Sequence, residues 1–264
     1  MITLLAISAV AAQSVPENGP AAPVARSAVE AGVSAGFEYQ EGNFGAGQRI
    51  ETSSIPYSAY ANKGRLQFGA TLPYLRVDAP GNVIGGSGLL GLPIIVDPTQ
   101  PATRERREGF GDLRLNASYT IPAGRAAIAL WNQVKVPTAS ADKGLGTGEL
   151  DYSFGAEVAA PIGRVTPFAG IGYTLTGEPE DYDLRNSLSA RAGANVRLTE
   201  SIAGRLSYAY AQSPSAAIGA EQLVSTTLQM SISRSLSLGL YGSAGLSDTA
   251  PDFGTGIQFA LRLR

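Results

Sequence analysis

The groups able to do chemistry in this chain are carboxylates, arginines and lysines, because it contains no histidine and no cysteine. That absence removes thiol chemistry, disulfides, imidazole-ligated metals and every histidine-dependent dyad or triad. Two carboxylate groupings remain, Asp112 with Asp151, and Glu178 with Asp181 and Asp183. Such sets can serve acid–base catalysis or bind Ca²⁺ through oxygen ligands; solvated loop and rim charge is the favoured reading. Gly144, Gly146 and Gly148 are spaced like a phosphate-cradling loop, but no helix follows to supply its N-terminal dipole, so a turn is expected. A formal charge of −2 over 264 residues argues against a nucleic-acid partner. No catalytic residue, cofactor or metal site is expected, and the chain is not expected to be an enzyme.

Strands carry these groups. Residues 149–177 read as two strands joined by Pro161-Ile162-Gly163-Arg164, where proline fixes φ, glycine permits the turn and arginine faces solvent. Leu150, Tyr152, Phe154, Ala156 and Val158 share one face, with Asp151, Ser153, Gly155 and Glu157 opposite, because side chains alternate across a strand. The same period begins at Val29 and recurs to Leu263, giving about twelve strands. Short connections at 62–65, 122–125, 161–164, 199–201 and 234–235 alternate with longer ones near Gly42, Val77, Thr138, Glu178, Gln212 and Asp248. The longest, 77–109, reads as irregular, with an apolar patch at 89–96 and a charged run at 104–108.

An all-β, up-and-down antiparallel barrel with tight turns at one rim and loops at the other gives this rhythm. About twelve strands with one apolar face each predict a transmembrane barrel of a bacterial outer membrane, with short periplasmic turns and longer extracellular loops. Closure pairs every backbone polar group and leaves no edge in lipid. A β-sandwich would use strands of roughly five or six residues, and a soluble barrel would turn the apolar face inward. The second face, rich in Gly, Ser and Thr with scattered charge, suits a wet lumen. Tyr39, Tyr74, Tyr119, Tyr152, Tyr173 and Phe253 fall near strand ends, where interfacial girdles sit.

The inward face is then expected to carry Asp112, Arg114, Lys135 and Asp151 toward the outer mouth. Trp131, Gln133, Arg191, Gln229, Tyr241 and Gln258 fall at mid-height, with Arg197, Arg205 and Arg262 toward the periplasmic rim. Glu157 also faces the lumen. Mixed charge of this kind tunes which small solutes pass. The same groups, paired with one another, would instead fill the lumen of a structural barrel. Residues 1–12 read as a signal peptide, apolar and ending in small residues although no Lys or Arg precedes them. Residues 13–28 read as a flexible Pro-, Ala- and Ser-rich linker, and 29–264 as the barrel.

The stretch 143–152, KGLGTGELDY, resembles a family of bacterial outer-membrane proteins labelled "transporter" or "putative MetA-pathway of phenol degradation". The resemblance extends to Pro167-Phe168-Ala169-Gly170-Ile171-Gly172-Tyr173, Asp183-Leu184-Arg185-Asn186, Gly109-Phe110-Gly111-Asp112 and Leu72-Pro73-Tyr74-Leu75. It implies a barrel channel linked to uptake of aromatic or other hydrophobic compounds, and it brings no catalytic residues. One departure is the end of the chain, Leu263-Arg264, where such barrels usually carry an aromatic residue used in assembly. The expected function is passive passage of small molecules; the alternative is a non-conducting structural or adhesion barrel with ligand-binding outer loops. Expected partners are outer-membrane lipids, a small-molecule solute and the barrel assembly machinery, around a monomer.

Overall fold

A computed structural model of the chain describes residues 29–44, 48–85, 94–95, 103–180, 183–215 and 218–263. The expected signal peptide, 1–12, and linker, 13–28, lie outside the described residues. The period-two segments become strands β1 (Glu30–Gly42), β2 (Ile50–Lys63), β3 (Leu66–Pro80), β4 (Val83–Ile84), β5 (Ile94–Ile95), β6 (Arg104–Phe110), β7 (Leu113–Ala123) and β8 (Ala126–Val136). They continue as β9 (Asp151–Ala159), β10 (Val165–Leu175), β11 (Ser187–Arg197), β12 (Ile202–Ala211), β13 (Glu221–Ser231), β14 (Leu236–Gly245) and β15 (Phe253–Leu263). β1, β2, β3 and β7 to β15 pair antiparallel with their neighbours, and β1 pairs with β15, so a twelve-stranded wall closes on itself.

Local chemistry places the turns. At the short-turn rim, Gly64 and Gly124 take φ of 62° and 65°, a left-handed backbone that glycine adopts without a Cβ penalty. The longer connections leave the strands at the opposite rim.

The wall is apolar outside and polar inside. Val33, Phe68, Leu130, Phe154, Leu206 and Phe259 are all exposed on the outer face, part of a belt that continues around the barrel. An apolar surface of that extent calls for lipid rather than water. Tyr119, Tyr152, Tyr173 and Phe253 are exposed on the same face, and Tyr74 packs edge-on against Phe110. On the inner face neighbouring strands exchange hydroxyl contacts, Ser153 with Thr174 at 2.8 Å and Ser207 with Ser225 at 2.9 Å.

The segment 77–109 departs from expectation. β3 runs on to Pro80 and pairs with β6, from Pro80↔Arg104 to Tyr74↔Phe110, before pairing with β7 from Thr71↔Arg114. This stretch carries polar side chains in place of the apolar alternation that marks a lipid-facing strand. Between β6 and β7, Gly111, Asp112 and Leu113 stand opposite Leu72 and Pro73, a one-residue bulge held by the Gly111 N–H donating to the Pro73 carbonyl at 2.8 Å. The bulge reverses the parity of the strand, so that Arg114 turns inward although Arg104 and Arg106 turn outward. Of the apolar patch 89–96, only Ile94 and Ile95 are described, pairing through the backbone with Ile84 and Val83; the rest lies outside the described residues.

Candidate functional site

The lumen is built from alternate residues of every wall strand, and its polar groups sort by height. Toward the long-loop rim, Lys135 of β8 places its Nζ 2.8 Å from Asp151 Oδ2 of β9 and 3.8 Å from Asp112 Oδ2 in the bulge. It also donates to Thr147 Oγ1 at 2.9 Å. The carboxylates reach outward as well as inward. Asp112 accepts the Ala139 N–H at 3.1 Å and Asp151 the Gly177 N–H at 2.9 Å, which ties two outer loops to the cluster. Arg114 is buried in the field of Asp112, Asp151 and Glu38. The carboxylate pair read from the sequence is therefore an ion cluster around Lys135.

Beside it lies an apolar cluster. Phe44, Ile50, Leu75, Val77, Val83 and Leu145 pack together at the mouth, with Ala139 against them. Leu145 reaches this position because Gly144 turns the loop at φ 59°, with its N–H donating to the Ala141 carbonyl at 2.7 Å. The glycine run is a turn at the mouth.

At mid-height Trp131 lies against the wall over Gly155 and Gly172, which stand in register on β9 and β10. One rung below, Glu157 and Arg191 form an ion pair across Gly170. Gln133 and Tyr241 are buried and inward, Gln258 donates to Ser34 Oγ at 3.1 Å, and Gln229 is half-buried on β13. Lower still, the Arg205 guanidinium lies 4.1 Å over the ring of Phe168, with Arg191 at 6.0 Å from the same ring. Arg197 is exposed and Arg262 half-buried, both near the short-turn rim.

Sequence reasoning passed over Thr147, Glu38, Tyr60 and Phe168 as lumen groups. Parity counted outward from each tight turn would have found Tyr60 and Phe168, whereas Thr147 sits in a loop that periodicity does not place. Glu178 and Asp183 are exposed in an outer loop, and Asp181 lies outside the described residues. Among the described residues, no three potential metal ligands converge.

Above the apolar belt, Arg49, Glu51, Asp78, Arg104 and Arg106 form a network on the outward face. Burial opposes ionisation of Asp78, yet the Arg106 hydrogen bond and the charges of Arg104 and Arg106 hold its carboxyl below the usual range. A lowered pKa stabilises above the ordinary value near ~3.9, and the contribution is lost as pH falls through the folded value. Amide exchange across β6, corrected for its intrinsic rate, should hold steady from about pH 7 to 5 and accelerate below about pH 4. Asp78→Asn should exchange a few-fold faster at neutral pH; equal exchange would show that the network does not hold this ladder.

The closed wall, the apolar belt and the polar interior together define a bacterial outer-membrane β-barrel. The chain belongs to the family described as "Putative MetA-pathway of phenol degradation", whose model matches residues 26–263. An outer-membrane channel from Pseudomonas putida F1 shares its fold with a TM-score of 0.71 at 12% identity, over 95% of this chain and 100% of that one. The NanC porin superposes with a TM-score of 0.57 at 6% identity, over 88% and 100% of the two chains. The KdgM porin gives 0.56 at 5% identity, over 88% and 99%. No curated protein matches the chain by sequence.

Proposed function

We propose that this barrel is an outer-membrane channel for passive passage of small molecules, aromatic or other hydrophobic compounds among them. The observation that carries the reading is a closed wall, apolar toward lipid, whose inner face bears Asp112, Arg114, Lys135, Asp151, Glu157, Arg191 and Arg205. Charged side chains held inside a barrel set a field along the route and select among solutes. The family's link to phenol degradation supports an aromatic solute. In this reading the channel works as a monomer, catalyses nothing and reaches the membrane through the barrel assembly machinery.

A second reading, a non-conducting structural or adhesion barrel, draws on one observation. Lys135 and Glu157 are only 3% and 2% exposed, each engaged by charge of the opposite sign from another strand or loop. Planar bilayers separate the two. The channel reading predicts discrete conductance steps, with ion selectivity shifted toward cations in Arg191→Glu. Silence at every voltage, from protein that still migrates heat-modifiably in gels, would select the structural barrel.

A further inference from the structure

We propose that an apolar bridge crosses the bore at the long-loop mouth and is the channel's barrier to ions and hydrated solutes, with Phe44 its largest side chain. Its use as a filter rests on the channel reading above; the closure itself does not.

The bridge follows from where its members sit on the closed wall. Phe44, Ile50 of β2, Leu75 and Val77 of β3 and Leu145 of the β8–β9 loop belong to one packed, buried cluster. The same cluster includes Ala211 of β12, with Ala209 and Ile218 against it. In the ring of twelve wall strands, β12 stands six places from β3 in either direction. Among the described residues, β10, β11, β13, β14 and β15 contribute no member. The packing therefore reaches Ala211 across the bore and not along the wall.

Hydrogen bonds brace the arrangement. Arg107 of β6 donates to the Val83 carbonyl at 2.7 Å and to that of Pro80 at 3.3 Å, and it stands against Gly144, next to Leu145. The Gly85 N–H donates to the Gly144 carbonyl at 3.0 Å, which ties the end of β4 to the β8–β9 loop. Phe44 is buried, and among the described residues it is the one non-glycine residue at positive φ, 48°. A side chain opposes that left-handed backbone, so the packing holds a strained residue in place, a condition that clusters where function fixes a conformation.

Charge lies beside the bridge and not within it. Glu221 stands in register with Ala211 and is buried, and Lys135 with its two carboxylates lies toward β7 and β9. An ion entering apolar packing sheds water and gains no partner, a cost that an apolar solute does not meet.

Two readouts test the bridge. In planar bilayers the wild type should open in brief, rare steps. Phe44→Gly removes the ring at a backbone that suits glycine and should pass several-fold more ionic current. Phe44→Leu, which keeps apolar bulk, should stay near wild type. Heat-modifiable migration certifies each fold, and Leu145→Ser carries the test from a second loop if Phe44→Gly does not fold. The other readout needs no current. The chain has no cysteine, so Ser225→Cys places a single thiol on the inner face, four residues deeper along β13 than the rung of Ala211 and Glu221. A charged methanethiosulfonate reagent should label it several-fold faster in the Phe44→Gly background. Folded variants with wild-type current and wild-type labelling would overturn the bridge. Faster labelling with silence at every voltage would refute the channel reading and leave the bridge standing.

Discussion

Lys135→Met is expected to lower the stability of the barrel by about 3 kcal/mol, toward the level seen when one partner of a buried ion pair is removed. The lysine is the cation between Asp112 and Asp151, and its side chain is almost wholly buried. Without it the two carboxylates face each other in a medium that screens poorly, with Arg114 in their field. The damage should spread to the mouth, because those carboxylates also hold the Ala139 and Gly177 amides of two outer loops. Denaturant midpoints in micelles measure the effect. Adding Asp151→Asn should return part of the loss, with a coupling of roughly 1–3 kcal/mol. An unchanged midpoint for Lys135→Met would mean that the cluster is solvated and contributes no net stability.

Gly172→Ala should have the largest effect on the route itself. A Cβ there would stand 2.6 and 2.7 Å from Trp131 Cζ2 and Cη2, so the indole must leave the wall and swing into the lumen. Crowding of this kind costs about 1–3 kcal/mol. Gly155 is the less informative site, since a Cβ there also meets the Ile171 carbonyl of the backbone. The expected signature is a shift in Trp131 emission together with a severalfold fall in conductance, both measured on the same preparation. Trp131→Ala in the Gly172→Ala background should restore the current, because the side chain that blocks the route is then gone. A current that stays low in the double variant would show that the alanine distorts the wall and not the indole.

The wall was legible because lipid on one side and polar groups on the other impose opposite demands on alternate residues. Leu150, Tyr152 and Phe154 against Asp151, Ser153 and Gly155 show the pattern, and β9 forms with that parity. The pattern fails where the wall leaves the bilayer. Arg104, Glu105, Arg106, Arg107 and Glu108 are charged on both faces, so β6 read as a loop. Nothing in the spacing showed that a bulge opposite Pro73 carries Asp112 toward Lys135. Partnerships inside the lumen were the least legible. Period fixes the face of Arg205 and of Phe168, but that the two stack depends on the stagger between β10 and β12, which pairing registers alone determine.

The seam between β1 and β15 has a consequence for how the protein comes into being. It joins Ala31 to Leu263 and continues through Glu41↔Phe253, bringing together segments more than two hundred positions apart in the chain. Until that last ladder zips, β1 and β15 each present a row of unpaired N–H and C=O groups, which hydrocarbon does not tolerate. Half a wall is therefore not half as stable; it has no resting place in the bilayer at all. Insertion and closure must be a single event, and a two-residue slip at the seam would change the stagger of the entire cylinder and with it the bore.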